Sequence, residues 1–145
     1  MRDKLIVGWR EWIALPEFAV PAIKVKVDTG ARTSALHAIN IEPFAKDGDD
    51  WVRFDLQPAQ RQEEPRICCT APVLDTREIR DSGGHQEKRY VVCTVIELGD
   101  YRKHIEVTLT CRRNMKFRML LGRTALKPEI AVDPGKSYRL GRMKR

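Results

Sequence analysis

Apolar and polar residues alternate along most of this chain. Ile23, Val25 and Val27 are separated by Lys24 and Lys26, the two-residue period of a half-buried strand with its lysines in water. Residues 5–12 predict a strand ahead of it, with Leu15-Pro16-Glu17 as the turn between. Residues 51–56, 90–98 and 104–109 alternate in the same way. Such runs, separated by turn residues, predict an all-β domain. Helical pattern is scarce. Residues 33–38 predict one short turn, and residues 123–126 another, stopped by Pro128. Residues 45–50 and 58–65 read as polar surface loops, no internal repeat is visible, and the basic ending, residues 141–145, is expected to fray.

The length, 145 residues, suits one domain over residues 1–145, and 42% apolar residues suffice for a real core. The formal net charge of +7 favours anionic partners without bearing on the fold. No run approaches the roughly 18 apolar residues of a membrane span, and the first residues are too briefly apolar for a secretory signal. A cytoplasmic protein away from membranes is expected. Of the four cysteines, Cys68 and Cys69 are adjacent, while Cys93 and Cys111 stand alone on strand-like runs. With no C-x-x-C spacing, buried thiols are expected rather than disulfides or a metal site.

Two distant stretches carry the candidate chemistry. One apolar strand runs into Asp28-Thr29-Gly30, and far downstream Met119-Leu120-Leu121 runs into Gly122-Arg123. Together they suggest half of an aspartic-peptidase active site. The strand delivers Asp28 to a loop, the Thr29 hydroxyl is expected to brace that loop, and Gly30 lets a backbone N–H approach the carboxylate. Two such carboxylates at contact distance share one proton, because both cannot easily be ionised. The charged one takes a proton from water and the protonated one supplies a proton to the peptide carbonyl, so no covalent intermediate is needed. A single carboxylate cannot do this. Asp81-Ser82-Gly83 is the other candidate loop, but Arg77-Glu78-Ile79-Arg80 before it is not an apolar strand. A twofold homodimer that places Asp28 beside its symmetry mate is the simpler solution. In this reading Leu120 and Leu121 pack beneath the loop, Gly122 permits close passage of two chain segments, and Arg123 starts a short helix and pins a neighbouring loop. The plainer alternative is an ordinary turn between strands and a strand end with a surface arginine.

These segments resemble the retropepsin-type aspartic peptidases, and in particular a bacterial group carrying the label ATP-dependent zinc protease. The resemblance rests on Gly8-Trp9-Arg10-Glu11-Trp12, on residues 27–38 with Arg32-Thr33-Ser34 and His37, on Leu120-Leu121-Gly122-Arg123, and on Val132-Asp133-Pro134. It implies a closed, single-lobed retropepsin-like β-barrel with one or two short helical turns. It also implies catalysis by Asp28 with Thr29 and Gly30, and a dimer of single-lobed subunits. Ala31, Thr33, Ser34, His37, Leu121, Gly122 and Arg123 are read as structural support, with His37 either supporting the loop after Asp28 or packing against the core. The resemblance further implies that some members sit beside a glutamate ligase acting on a ribosomal protein. The group's label fits poorly. ATP dependence would want a Gly-rich loop with Gly-Lys-Ser/Thr, and a zinc protease would want His-Glu-x-x-His; neither is present, and His37, His85 and His104 are scattered. No cofactor and no metal are expected.

One position departs from the viral-type retropepsins. They carry an acidic residue where this chain has Arg32, which can only donate. Arg123 therefore needs another partner, with Glu11, Asp75 and Glu129 as candidates. Arg32 is expected either to point its guanidinium into the cleft, toward an acidic peptide or protein tail, or to anchor a local acid. Residues 78–90 are the candidate flap, tipped by Gly83-Gly84, so Ser82, Gly83 and Gly84 join Arg32 as candidate substrate-binding residues. Two other classes compete. A nucleic-acid-binding barrel would use Trp9, Trp12 and Trp51 with the arginines, but the basic residues are dispersed among acids and no RNP-like aromatic motif occurs, so no nucleic-acid partner is expected. A non-catalytic peptide-binding or adaptor module would use the same cleft, with Asp28 as an acceptor.

Overall fold

The computed structural model describes residues 4–60, 62–80, 83–111 and 116–141. The strands are β1 (Leu5–Leu15), β2 (Val20–Val27), β3 (Ser34–Lys46), β4 (Asp49–Leu56), β5 (Ile67–Pro72), β6 (Asp75–Arg80), β7 (Gln86–Leu98), β8 (Tyr101–Thr110), β9 (Met119–Leu121) and β10 (Ile130–Ser137). A 3₁₀ turn, Pro16–Phe18, joins β1 to β2, and a single helical turn, α1 (Arg123–Leu126), follows β9.

The strands close on themselves. β1 pairs β2, β2 pairs β9, β9 pairs β3, β3 pairs β8, β8 pairs β7, and β7 returns to β1 through Ala14 and Glu97. The result is a closed six-stranded barrel of the retropepsin-like kind, and closure removes the exposed edges an open sheet would present. β10 extends the sheet beyond β1, and β6 extends it beyond β7. The barrel is filled by Ile13, Leu15, Ile23, Leu36, Ile96, Leu98, Leu109, Met119 and Leu121, all essentially inaccessible. β3 runs out of the barrel and pairs β4, which pairs β5, giving a smaller sheet that buries Phe54 against Phe18 with ring centroids 5.3 Å apart.

Two local expectations are corrected. Residues 34–38 do not form a helical turn. They open β3, bonded on one side to β8 from Ser34–Val107 to His37–Thr110 and on the other to β9 through Ala35–Leu120. A strand buried on both faces loses the polar half of its alternation, so its run of Ala, Leu, His, Ala and Ile did not read as a strand. Residues 45–50 are not a loop either. β3 and β4 continue to within two residues of each other and turn through Asp47-Gly48, the tight connection that Asp-Gly favours. The expectation for the thiols holds for Cys69, which is buried; Cys68, Cys93 and Cys111 are exposed. Burial, then Cys68 and Asp55, pushes the Cys69 thiol up to about 11.

A carboxylate inside the fold ties the two ends of the described chain together. Glu11, on β1, is fully buried. Its carboxylate accepts from the backbone N–H groups of Gly8 (2.6 Å), Arg139 (2.9 Å) and Leu140 (3.1 Å). Gly8 itself lies against β10, where a Cβ would stand 2.3 Å from the Lys136 carbonyl oxygen. The Gly8-Trp9-Arg10-Glu11 stretch is therefore a clasp that holds the segment after β10 across β1. A buried carboxylate filled by three N–H groups is a strong arrangement, and losing it leaves those donors unmet. Glu11→Ala is expected to cost about 3 kcal/mol or more of stability, read as a lowered urea midpoint with an unchanged slope.

Candidate active site

β2 and β9 run parallel, with Val27 beside Leu121. The Asp28 N–H donates to the Leu121 carbonyl at 2.8 Å, and the chain then leaves the sheet. Asp28 is half-buried, while Thr29 and Gly30 are exposed. The Gly30 N–H donates to Asp28 Oδ1 at 3.0 Å, and the Ala31 N–H donates to the Asp28 carbonyl at 3.2 Å, so the carboxylate is held by its own turn.

The downstream segment locks this turn in place. The Arg123 N–H donates to the Ala31 carbonyl at 2.7 Å, and the Thr124 N–H and hydroxyl both donate to the Arg32 carbonyl. The Gly122 N–H donates to Ser34 Oγ at 3.0 Å, inside the protein. At the crossing, a Cβ on Gly122 would lie 2.7 Å from the Thr33 carbonyl carbon and 2.9 Å from the Ala31 carbonyl oxygen. Only a residue without a side chain lets the two backbones approach this closely.

Arg123 finds none of its three candidate acids. Its guanidinium NH1 donates to the carbonyls of Thr29 (3.2 Å) and Gly30 (3.0 Å). The turn turns its carbonyls toward Arg123, whereas Glu11 is filled by backbone N–H groups, Asp75 pairs Arg77 and Glu129 pairs Lys103. Thr29 thus enters the network through its carbonyl, and its side chain is exposed. Of the two expectations for His37, burial in the core is the one found. Its ring Nε2 lies 2.9 Å from Gln57 Oε1, and the residue is 3% exposed. Thr124, which fastens Arg32 from below, was not singled out in the sequence; its place directly after the Gly-Arg pair was the available signal.

Residues 75–80 and 86–91 pair as a hairpin from Asp75–Val91 to Arg80–Gln86. Gly83 and Gly84 lie exposed in its turn; Ser82 lies outside the described residues. A polar pocket of about 430 Å³ joins the hairpin to the Asp28 loop, lined by Arg32, Thr33, Arg77, His104, Ile105, Glu106 and Thr124. Arg77 in this pocket is engaged by Glu106 and Asp75, whereas Arg32 is exposed and makes no ion pair among the described residues. No group of three or more His, Cys, Asp or Glu side chains among the described residues is placed to hold a metal ion. No helix among them is long and apolar enough to cross a membrane.

Residues 6–142 match the family model described as "Retropepsin-like aspartic endopeptidase RimB". The chain belongs to this RimB-like family. It is 48% identical over 139 residues to a "Probable alpha-L-glutamate ligase" of Shewanella halifaxensis, and 43% identical over 138 residues to a protein of the same name from Desulfotalea psychrophila. Those matches cover 96% and 95% of this chain but 30% of each relative. The chain therefore spans about a third of the length of the curated relatives it matches. A crystal structure of a Legionella pneumophila protein of unknown function has a similar fold, with a TM-score of 0.79 and 29% identity over 94% of this chain and 98% of that one.

The RimB-like loop crossing makes a direct prediction. Gly122→Ala forces a methyl group into rigid backbone on two sides and is expected to cost about 3 kcal/mol, read in a urea titration. Alanine at exposed Gly84, where nothing lies within 4 Å of an added Cβ and only the φ of +84° strains it, is the comparison and should cost less, about 1 kcal/mol.

Proposed function

We propose that this protein is an aspartic-type endopeptidase, active as a homodimer that pairs Asp28 from each subunit. The observation that carries the reading is the Asp28 turn: a carboxylate at the end of a barrel strand, held by one N–H of its own loop, locked from beneath by Gly122 and Arg123, and open on its outer side. Such a group is oriented without being used up, as a water-activating carboxylate must be.

In this mechanism the ionised Asp28 of one protomer takes a proton from a water molecule. The water oxygen attacks the scissile carbonyl carbon while the protonated Asp28 of the partner gives its proton to the carbonyl oxygen. The tetrahedral diol then collapses, a proton passes to the departing nitrogen, and the dyad returns to its singly protonated state. The β6–β7 hairpin serves as the flap, with Gly83 and Gly84 at its tip. Arg32 selects acidic or glutamate-rich peptides; its exposure, its lack of an acid partner among the described residues and the adjoining polar pocket support a role toward substrate over a role as a local anchor. The relatives' name, probable alpha-L-glutamate ligase, agrees with a substrate carrying glutamates. A cytoplasmic location fits the same reading.

Asp28→Asn is expected to reduce hydrolysis of a glutamate-rich peptide by about 10²–10⁴-fold, with the circular dichroism spectrum and dimer mass by sedimentation unchanged. A variant that alters peptide affinity while wild type shows no turnover would instead identify a non-catalytic binding module. Arg32→Ala is expected to raise KM for acidic peptides about tenfold, leaving neutral peptides unaffected. Equal preference in both proteins would remove Arg32 from substrate selection.

A further inference from the structure

The expectation of no nucleic-acid partner rests on basic residues dispersed along the sequence, but the pairing of β1 with β2 gathers three of them. Arg10 stands opposite Lys26, and Trp12 opposite Lys24. Partners across an antiparallel pair point to the same face. Glu11, Ile23 and Val25, at the alternate positions, are buried, so Arg10, Trp12, Lys24 and Lys26 share the outer face. Tyr138, just after β10, is fastened to these strands, its N–H donating to the Arg10 carbonyl at 2.8 Å.

Cations and aromatic rings alternate here. The Arg10 guanidinium lies 4.5 Å from the Trp9 ring centroid and 4.9 Å from that of Tyr138. The Lys24 ammonium lies 5.1 Å from the Trp12 centroid and 5.8 Å from that of Tyr138. Rings hold a cation in place without neutralising it. No carboxylate pairs with Arg10, Lys24 or Lys26 among the described residues. Glu11, the acid between Arg10 and Trp12 in the chain, is buried and committed to backbone N–H groups.

The row meets a groove of about 290 Å³, at the small end of ligand pockets. Trp12 and Lys24 line it, together with Pro58, Gln60, Gln62 and Pro65, and Lys24 is the one charged residue in its lining among the described residues. The segment carrying the two glutamines is anchored: the Gln60 amide donates to the Lys116 carbonyl at 2.7 Å, and Arg118 NH2 donates to the Gln62 carbonyl at 3.2 Å. Arg118 itself is buried and does not line the groove. An indole and proline rings offer flat apolar surface, and glutamine amides carry both donor and acceptor. That combination suits a flat heterocycle with polar edges, stacked on its face and hydrogen-bonded along its rim.

We propose that this face binds single-stranded nucleic acid, with one base in the groove against Trp12 and the adjoining phosphates along Lys24, Lys26 and Arg10. Lys24 links the two parts, since it lines the groove and belongs to the cation row. An acidic peptide would meet the cations but leave the ring-lined slot empty. A strand of nucleotides alternates the same two chemistries, flat rings and anions. The site does not depend on the peptidase reading.

The test titrates the full chain into a short fluorescein-labelled oligouridylate, read by anisotropy over a range of salt concentrations. Three phosphate contacts give a slope of log K against log salt of about −2. Lys24→Gln and Lys26→Gln should each flatten that slope by about 0.7. Trp12→Leu should weaken binding about tenfold and leave the slope unchanged. Gln62→Ala, at an exposed position, should weaken binding several-fold and serves in place of Trp12→Leu should that variant fail to fold. The same strand paired with oligoadenylate should bind more weakly, because its bases cannot enter the groove, and oligoglutamate of equal charge should not displace the single strand. Equal affinity for the duplex, displacement by oligoglutamate, an unchanged slope in both lysine variants, or wild-type affinity in Gln62→Ala and in folded Trp12→Leu would overturn the proposal.

Discussion

The site depends on one backbone crossing. Between Gly122 and Thr33 two chain segments pass at a distance that excludes even a methyl group. The bonds at this crossing do different work. Asp28 N–H to Leu121 ends the strand, Gly122 N–H to Ser34 fixes the crossing from inside, and Arg123 to Thr29 and Gly30 holds the loop from outside. The direction in which the Asp28 carboxylate faces follows from these constraints. Because most run through backbone atoms or a short side chain, they leave little rotamer freedom to be lost when a substrate or a second subunit arrives.

The contrast between Asp28 and Glu11 shows how one functional group takes two roles. Glu11 is buried and its oxygens are filled by three N–H groups. Being fully buried, it is out of a ligand's reach. Asp28 receives one N–H, from Gly30, and is half open to solvent. The first arrangement gives stability and the second leaves acceptor capacity for a partner. Glu11 lies on β1 and Asp28 directly follows β2, its neighbour in the sheet, so the clasp and the Asp28 turn are built on paired strands.

The alternation of residues 23–27, 90–98 and 104–109 made the barrel walls legible, and the apolar run into Gly122-Arg123 made the crossing legible, since both signals are local. What escaped was set by distant neighbours. The start of β3 is buried on both faces and so lost its alternation. Arg123 was expected to need an acid, but the carbonyls of a tight turn supply enough negative potential without one. Glu11 was visible within a recurring motif, yet its partners lie more than a hundred residues away and are backbone groups that carry no sequence signature. Arg118 looked like any arginine in a basic chain, because it is buried by neighbours distant in sequence such as Gln62.

The net charge of +7 becomes more informative once its carriers are sorted. Arg53, Arg77, Arg89, Arg102 and Lys103 are engaged by carboxylates, mostly at exposed sites where such pairs contribute little stability. Their positive charge is locally cancelled and offers little to a partner. Among the described residues Arg32 and Lys24 are not cancelled in this way, and each lines a concavity. An excess of cations spread over a surface raises encounter rates with anything anionic, whereas unpaired cations fixed beside cavities distinguish one arrangement of anionic groups from another. The physical case for an anionic partner therefore rests less on the sum of charges than on the particular cations that the fold leaves without acids.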